Sequence, residues 1–125
     1  MIFKLNIGEV STTIMYNIPV EATLDVIGGK WKVVILCHLD KGEKRTSELK
    51  RLMPSITQKM LTQQLRELEN DGVVKRTTYN QVPPKVVYSL TEYGWSLKPI
   101  LDAMCSWGEK HIEAVAVPQK LLQES

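Results

Sequence analysis

The 125-residue sequence predicts a mainly α-helical domain carrying a small antiparallel β wing. Three observations carry that expectation. Two amphipathic helical patterns follow one another across residues 46–70 with only a proline between them. The period then changes, and β-branched and aromatic residues dominate 73–79 and 86–90. A last broad apolar stripe with helical spacing follows, from Leu97 to Ile112.

Taken in order, residues 1–19 are weakly patterned. Ile2, Phe3, Leu5 and Ile7 suit a short arm or strand, which Pro19 is expected to end. Residues 20–27 read as a short helix, broken by Gly28-Gly29. Residues 30–39 read as a second, with Trp31, Val34 and Ile35 at helical spacing. Asp40-Lys41-Gly42 is a turn, and Thr46 is placed to cap a third helix reaching Met53, with Glu48 in its first turn. Ser55 and Gln58 have the spacing of a capping box, so the fourth helix is expected to start near Ser55. Leu61, Leu65 and Leu68 give it one apolar stripe, and Gly72 is a left-handed stop. Residues 80–85, with two prolines, make a stiff hairpin tip. Thr91 can cap a long last helix, which Pro99 should kink or truly begin. That order defines a winged helix-turn-helix. The expected divisions are an arm over 1–19, the winged domain with its C-terminal helix over 20–117, and a flexible tail over 118–125.

Composition bounds the function. Apolar residues at 43% and charged residues at 24% are ordinary for one globular domain. Net charge is only +2, but it is unevenly placed: residues 41–85 hold ten bases and five acids. A basic middle between acidic flanks suits a polyanion. Two cysteines make no disulfide framework and suit a reducing cytoplasm. No signal-peptide pattern and no roughly 20-residue apolar run is present, so no membrane partner is expected. No nucleophile–base pair or metal-ligand spacing stands out, so neither catalysis nor a cofactor is expected. Gly28-Gly29-Lys30 lacks the phosphate-loop spacing and reads as a helix-breaking turn.

At 100° per residue, Lys59, Thr62, Gln63 and Arg66 fall opposite the leucine stripe. That face holds no acid, and its residues are types that hydrogen-bond base edges and phosphates. Ser55, Thr57 and Gln58 at the helix start can meet a phosphate. Arg76, Asn80, Gln81 and Lys85 belong to the wing, and Lys44, Arg45 and Thr46 open the helix-turn-helix. All are candidate DNA contacts. A solvated helix face is the plain alternative for each. A winged helix used only for protein–protein contact is the alternative for the whole chain.

These residues also match a known pattern. Val20-Glu21, Leu24 and Ile27-Gly28-Gly29-Lys30-Trp31, then Arg45-Thr46-Ser47-Glu48-Leu49-Lys50, resemble HxlR-type transcriptional regulators, which are related to the MarR group. So do Leu61 to Leu68, Asp71 to Arg76, Val82-Pro83-Pro84-Lys85-Val86, Tyr88 to Thr91, and Trp107-Gly108. The resemblance implies a cytoplasmic homodimer on operator DNA, with an interface made by the terminal segments. Leu97, Ile100, Leu101, Met104 and Trp107 form an apolar face broad enough to serve that interface. A small-molecule effector of unidentified class remains open, and Trp95 is a candidate for lining its cavity. Redox-sensing members carry a cysteine just before the Pro-Val-Glu segment, where this chain has Ile18. Cys37 and Cys105 are expected on apolar helical stripes, Cys37 facing inward and Cys105 beside the interface face, so no thiol response is expected.

Overall fold

The computed structural model describes residues 2–7 and 10–116, with side chains from Met15 onward. The boundary at 117 and the tail at 118–125 lie outside the described residues. Strands β1 (Ile2–Ile7) and β2 (Val10–Met15) form an antiparallel hairpin, so the expected arm is a paired ribbon. Helix α1 (Pro19–Ile27) begins at the proline expected to end the arm. Proline lacks an N–H that the first helical turn does not use, so it serves as a start there. Glu21 completes that start by accepting from the backbone N–H of Ile18 at 2.8 Å.

Helix α2 (Lys32–Leu39) runs through the centre, with Ile35, Leu36 and Leu39 buried and Val34 turned outward. Trp31 is half-buried against the core. Helix α3 (Thr46–Leu52) has Arg45, not Thr46, as its N-cap residue. Glu48 accepts from the Arg45 backbone N–H at 3.0 Å, which does the capping the Thr46 hydroxyl was expected to do.

Helix α4 (Gln58–Asn70) starts three residues later than expected. Its cap is Thr57, whose Oγ1 accepts from the Met60 N–H at 3.1 Å, while Ser55 lies exposed in the preceding turn. The physical reason is Ile56, which is 1% exposed. Ile56 just before the cap and Leu61 four residues after it are both core residues, spaced as a hydrophobic staple. The chain must enter the core at Ile56 before it can coil. Leu61, Leu65 and Leu68 are all buried, as their spacing requires. The helix closes at Gly72 (φ 78°), where Gly72 N–H donates to Glu69 C=O and Val73 N–H to Leu68 C=O.

Strands β3 (Val74–Tyr79) and β4 (Lys85–Leu90) pair antiparallel from Val74 opposite Leu90 to Tyr79 opposite Lys85. Lys44 extends this ribbon by exchanging two backbone hydrogen bonds with Tyr88, of 3.0 and 2.8 Å. Thr91 caps α5 (Glu92–Trp95), a single turn, and not the long helix. Gly94 of that turn sits so close to Val73 C=O that a Cβ would lie 2.0 Å from the oxygen. The long helix α6 (Lys98–Val115) then starts afresh with Pro99 in its first turn. Of its expected interface residues, Leu101 turns inward and is only 2% exposed, within the chain's own core.

Candidate nucleic-acid interface

The leucine stripe fixes which way α4 faces. With Leu61, Leu65 and Leu68 in the core, Lys59, Thr62, Gln63 and Arg66 are turned to solvent. Together with Gln58 they line one open groove of about 660 Å³. Gln58 Nε2 lies 3.3 Å from Thr62 Oγ1, which aligns the two side chains along the groove. Of the two acids of α4, Glu67 points elsewhere, while Glu69 is exposed one turn beyond Arg66, outside the groove lining. Glu67 approaches the nearly buried Lys32 of α2 at 3.6 Å and accepts from Gln64 Nε2 at 3.1 Å. The groove lining is therefore two cations, a hydroxyl and two amides, on a helix whose opposite face is buried in the core.

Lys32 was not singled out by sequence, because nothing local distinguishes it from a solvated lysine. Its stem covers the core while its ammonium reaches the rim. Nearby, burial pushes the Asp71 carboxyl up and the Lys32 charge partly offsets this.

The N-terminal end of α4 carries Thr57 and Gln58, both exposed. The Thr57 oxygen is taken by the Met60 N–H, which leaves its hydroxyl proton free to donate. Ser55 is exposed one turn outside the helix. At the start of α3, Arg45 is exposed, while Lys44 and Thr46 are half-buried. Lys44 Nζ turns back to Gly42 C=O at 3.1 Å.

In the wing, Arg76, Asn80 and Gln81 are exposed, and Val82 at the tip is fully so. Lys85 stacks its ammonium 5.6 Å from the centre of the Tyr79 ring. The Tyr79 hydroxyl donates to Glu43 Oε2 at 3.2 Å, and the charge of that carboxylate pushes the Tyr79 pKa up. This contact ties the wing to the loop before α3. No sequence signal joins two residues so far apart. Thus the structure brings Lys59, Thr62, Gln63 and Arg66 together with Gln58, and sets Arg76, Asn80, Gln81 and Lys85 on a separate ribbon.

A second surface is apolar. On α6, Ile100, Met104 and Trp107 are exposed, Trp107 at 68%, and Leu97 is half-buried. Trp107 stacks on His111 with ring centres 5.0 Å apart. On α1, Val20 and Leu24 are also exposed. Between α1 and the start of α6 lies a cavity of about 190 Å³, lined by Ala22, Val26, Tyr93, Ser96, Leu97 and others. Trp95, the expected lining residue, is not among them.

Comparison with known proteins agrees with this architecture. Residues 26–116 match the HxlR-like helix-turn-helix family model. The HTH-type transcriptional regulator YtcD of Bacillus subtilis (strain 168) is 75% identical over 100 residues, covering 80% of this chain and 79% of YtcD. The structure of the redox regulator HypR in its oxidized form superposes with a TM-score of 0.73 at 61% identity, over 74% of this chain and 96% of that one. A MarR-family transcriptional regulator from Enterococcus faecalis V583 superposes with a TM-score of 0.67 at 42% identity, over 76% and 86%.

Proposed function

The chain belongs to the HxlR-like helix-turn-helix family of transcriptional regulators, not enzymes, and from that premise we propose that it binds an inverted-repeat operator as a homodimer in the cytoplasm. The observation that carries this reading is the groove on the outer face of α4, lined by Gln58, Lys59, Thr62, Gln63 and Arg66 with no acid among them. That helix enters the major groove, where Gln63 and Thr62 meet base edges and Lys59 and Arg66 meet phosphates. The ribbon β3–β4 lies over the adjacent backbone, with Arg76 and Lys85 facing phosphates and Asn80 and Gln81 at its tip. Ser55, Thr57 and Gln58 meet a phosphate near the N-terminus of α4, and Lys44, Arg45 and Thr46 lie beside the same strand.

The exposed apolar residues of α1 and α6 support the dimer. Ile100, Met104 and Trp107 leave a contiguous apolar strip that a second copy would cover, extended by Leu97. Leu101 serves the monomer's core and orients that strip. A twofold dimer places its two α4 helices about one DNA turn apart, which makes the site an inverted repeat. No helix among the described residues is long and apolar enough to cross a membrane.

Genome-wide capture of DNA by the tagged protein, followed by footprinting of the strongest site, tests the reading. The expected footprint is two protected half-sites in inverted orientation. Protection of a single asymmetric half-site, or no captured site at all, would reject it.

A further inference from the structure

Helices α2 and α6 carry the two cysteines, and the two helices pack against each other. Their register is fixed by Lys98 in the first turn of α6, whose Nζ lies 3.2 Å from Asp40 just past the end of α2. The same ammonium lies 3.4 Å from Asp102, so it clamps one end of the helix pair. Three residues back from Asp40 stands Cys37. Two turns forward from Lys98 stands Cys105. Leu101 is buried against the core, and Cys105, four residues on, repeats its face. Across these two helices the Cys37 and Cys105 side chains lie within hydrogen-bonding reach of each other. Both thiols line the same cavity of about 300 Å³, together with Asp40, Leu101, Asp102 and Ser106.

The two thiols, expected on apolar helical stripes with Cys37 facing inward, thus stand side by side. Cys105 is exposed and Cys37 is half-buried. Burial first, then the adjacent Cys105 sulfur, push the Cys37 thiol up to about 11. Cys37 therefore stays protonated at neutral pH and is a poor first nucleophile. The pair is asymmetric: one accessible thiol and one sheltered thiol directly behind it.

We propose that Cys37 and Cys105 are a modification site at which an oxidant of the peroxide class forms an intrachain disulfide between α2 and α6. The Cys105 thiolate attacks a peroxide oxygen, the O–O bond breaks, and Cys105 becomes a sulfenic acid. The Cys37 sulfur then attacks the Cys105 sulfur, gives up its proton and expels water. Two thiols lose two electrons and two protons, and hydrogen peroxide leaves as two waters. Nothing in this step needs Ile18 to be a cysteine, nor a second copy of the chain.

The test uses the full chain, first reduced, then treated with a small excess of hydrogen peroxide. It is next unfolded in N-ethylmaleimide and weighed intact. The expected product has lost two hydrogens, takes up no maleimide, runs as a single chain without reductant and yields a Cys37–Cys105 linked peptide. Dithiothreitol restores both thiols. Cys105→Ser should keep Cys37 alkylatable after the same treatment, with an unchanged circular dichroism spectrum showing that the fold is intact. Because the bond joins residues distant in the chain, it should also raise the urea midpoint of the wild type. Two maleimide adducts after peroxide, a sulfinic acid on Cys105 beside a free Cys37, or a disulfide between two chains would each overturn the proposal. So would a lowered urea midpoint, since the thiols would then not be positioned for bonding in the native packing.

Discussion

Replacing Thr57 by alanine should destabilise the protein, and replacing Ser55 by alanine should not. Thr57 Oγ1 accepts the Met60 N–H at 3.1 Å, and the first turn of α4 contains no acidic residue to take its place. A lost threonine cap costs about 1 kcal/mol, within a range of roughly 0.5–2. For a domain of this size that lowers the melting temperature by about 3–5 °C. Ser55 is exposed, and its hydroxyl caps nothing, so Ser55→Ala should stay within about 0.5 kcal/mol of the parent. Urea titrations followed by circular dichroism at 222 nm give both values if the slopes agree with the parent's. Isoleucine 56 supplies a control: Ile56→Ala opens a cavity and should cost about 2–5 kcal/mol. Equal losses at Ser55 and Thr57, or a larger loss at Ser55, would refute the staple-and-cap account of how α4 begins.

Three further outcomes follow from the packing. Met104→Glu should leave the chain folded but monomeric in sedimentation, whereas Leu101→Glu should unfold it, because Leu101 is buried in the monomer's own core. Gly94→Ala should destabilise strongly in thermal melts, since its Cβ would fall 2.0 Å from Val73 C=O and that backbone must move. His38 gives a pH signature: burial first, and the Lys44 charge second, hold its pKa below the usual histidine value. The unfolded chain then binds the proton more readily, so stability contributed by neutral His38 is present above about pH 6.5 and is lost as pH falls below it. His38→Gln should flatten that part of a stability–pH curve, and an unchanged slope would assign it to another group.

Much of this fold is local and therefore visible in sequence. Leu61, Leu65 and Leu68 needed only helical period to be placed, and 73–79 with 86–90 needed only β-branched composition. The prolines were ambiguous for a physical reason. A residue without an N–H both ends a preceding element and suits a first helical turn, and Pro19 and Pro99 turned out to be starts. Ser55 and Thr57 are equally good caps by residue type, and the choice was made by Ile56 entering the core. The outer face of α4 was legible because its opposite face was. What tertiary packing alone creates was not legible: the Lys44–Tyr88 bridge, the Tyr79–Glu43 hydrogen bond, the Lys32–Glu67 ion pair, and the placing of Cys105 opposite Cys37. Leu101 belongs in the same class, since one broad stripe on α6 serves two surfaces and only packing divides it.

The central claim is that the exposed face of α4 reads bases while the wing holds the backbone. Titrating parent, Gln63→Ala and Lys85→Ala proteins on captured operator and on scrambled DNA, at several salt concentrations, tests it directly. Gln63→Ala should lose about 1–3 kcal/mol on operator and little on scrambled DNA, with its salt slope unchanged. Lys85→Ala should lose affinity about equally on both and reduce the slope of log K against log salt by about one. Equal losses on the two DNAs for Gln63→Ala would contradict the claim, for Gln63 would then touch backbone or solvent and α4 would not be reading sequence through it.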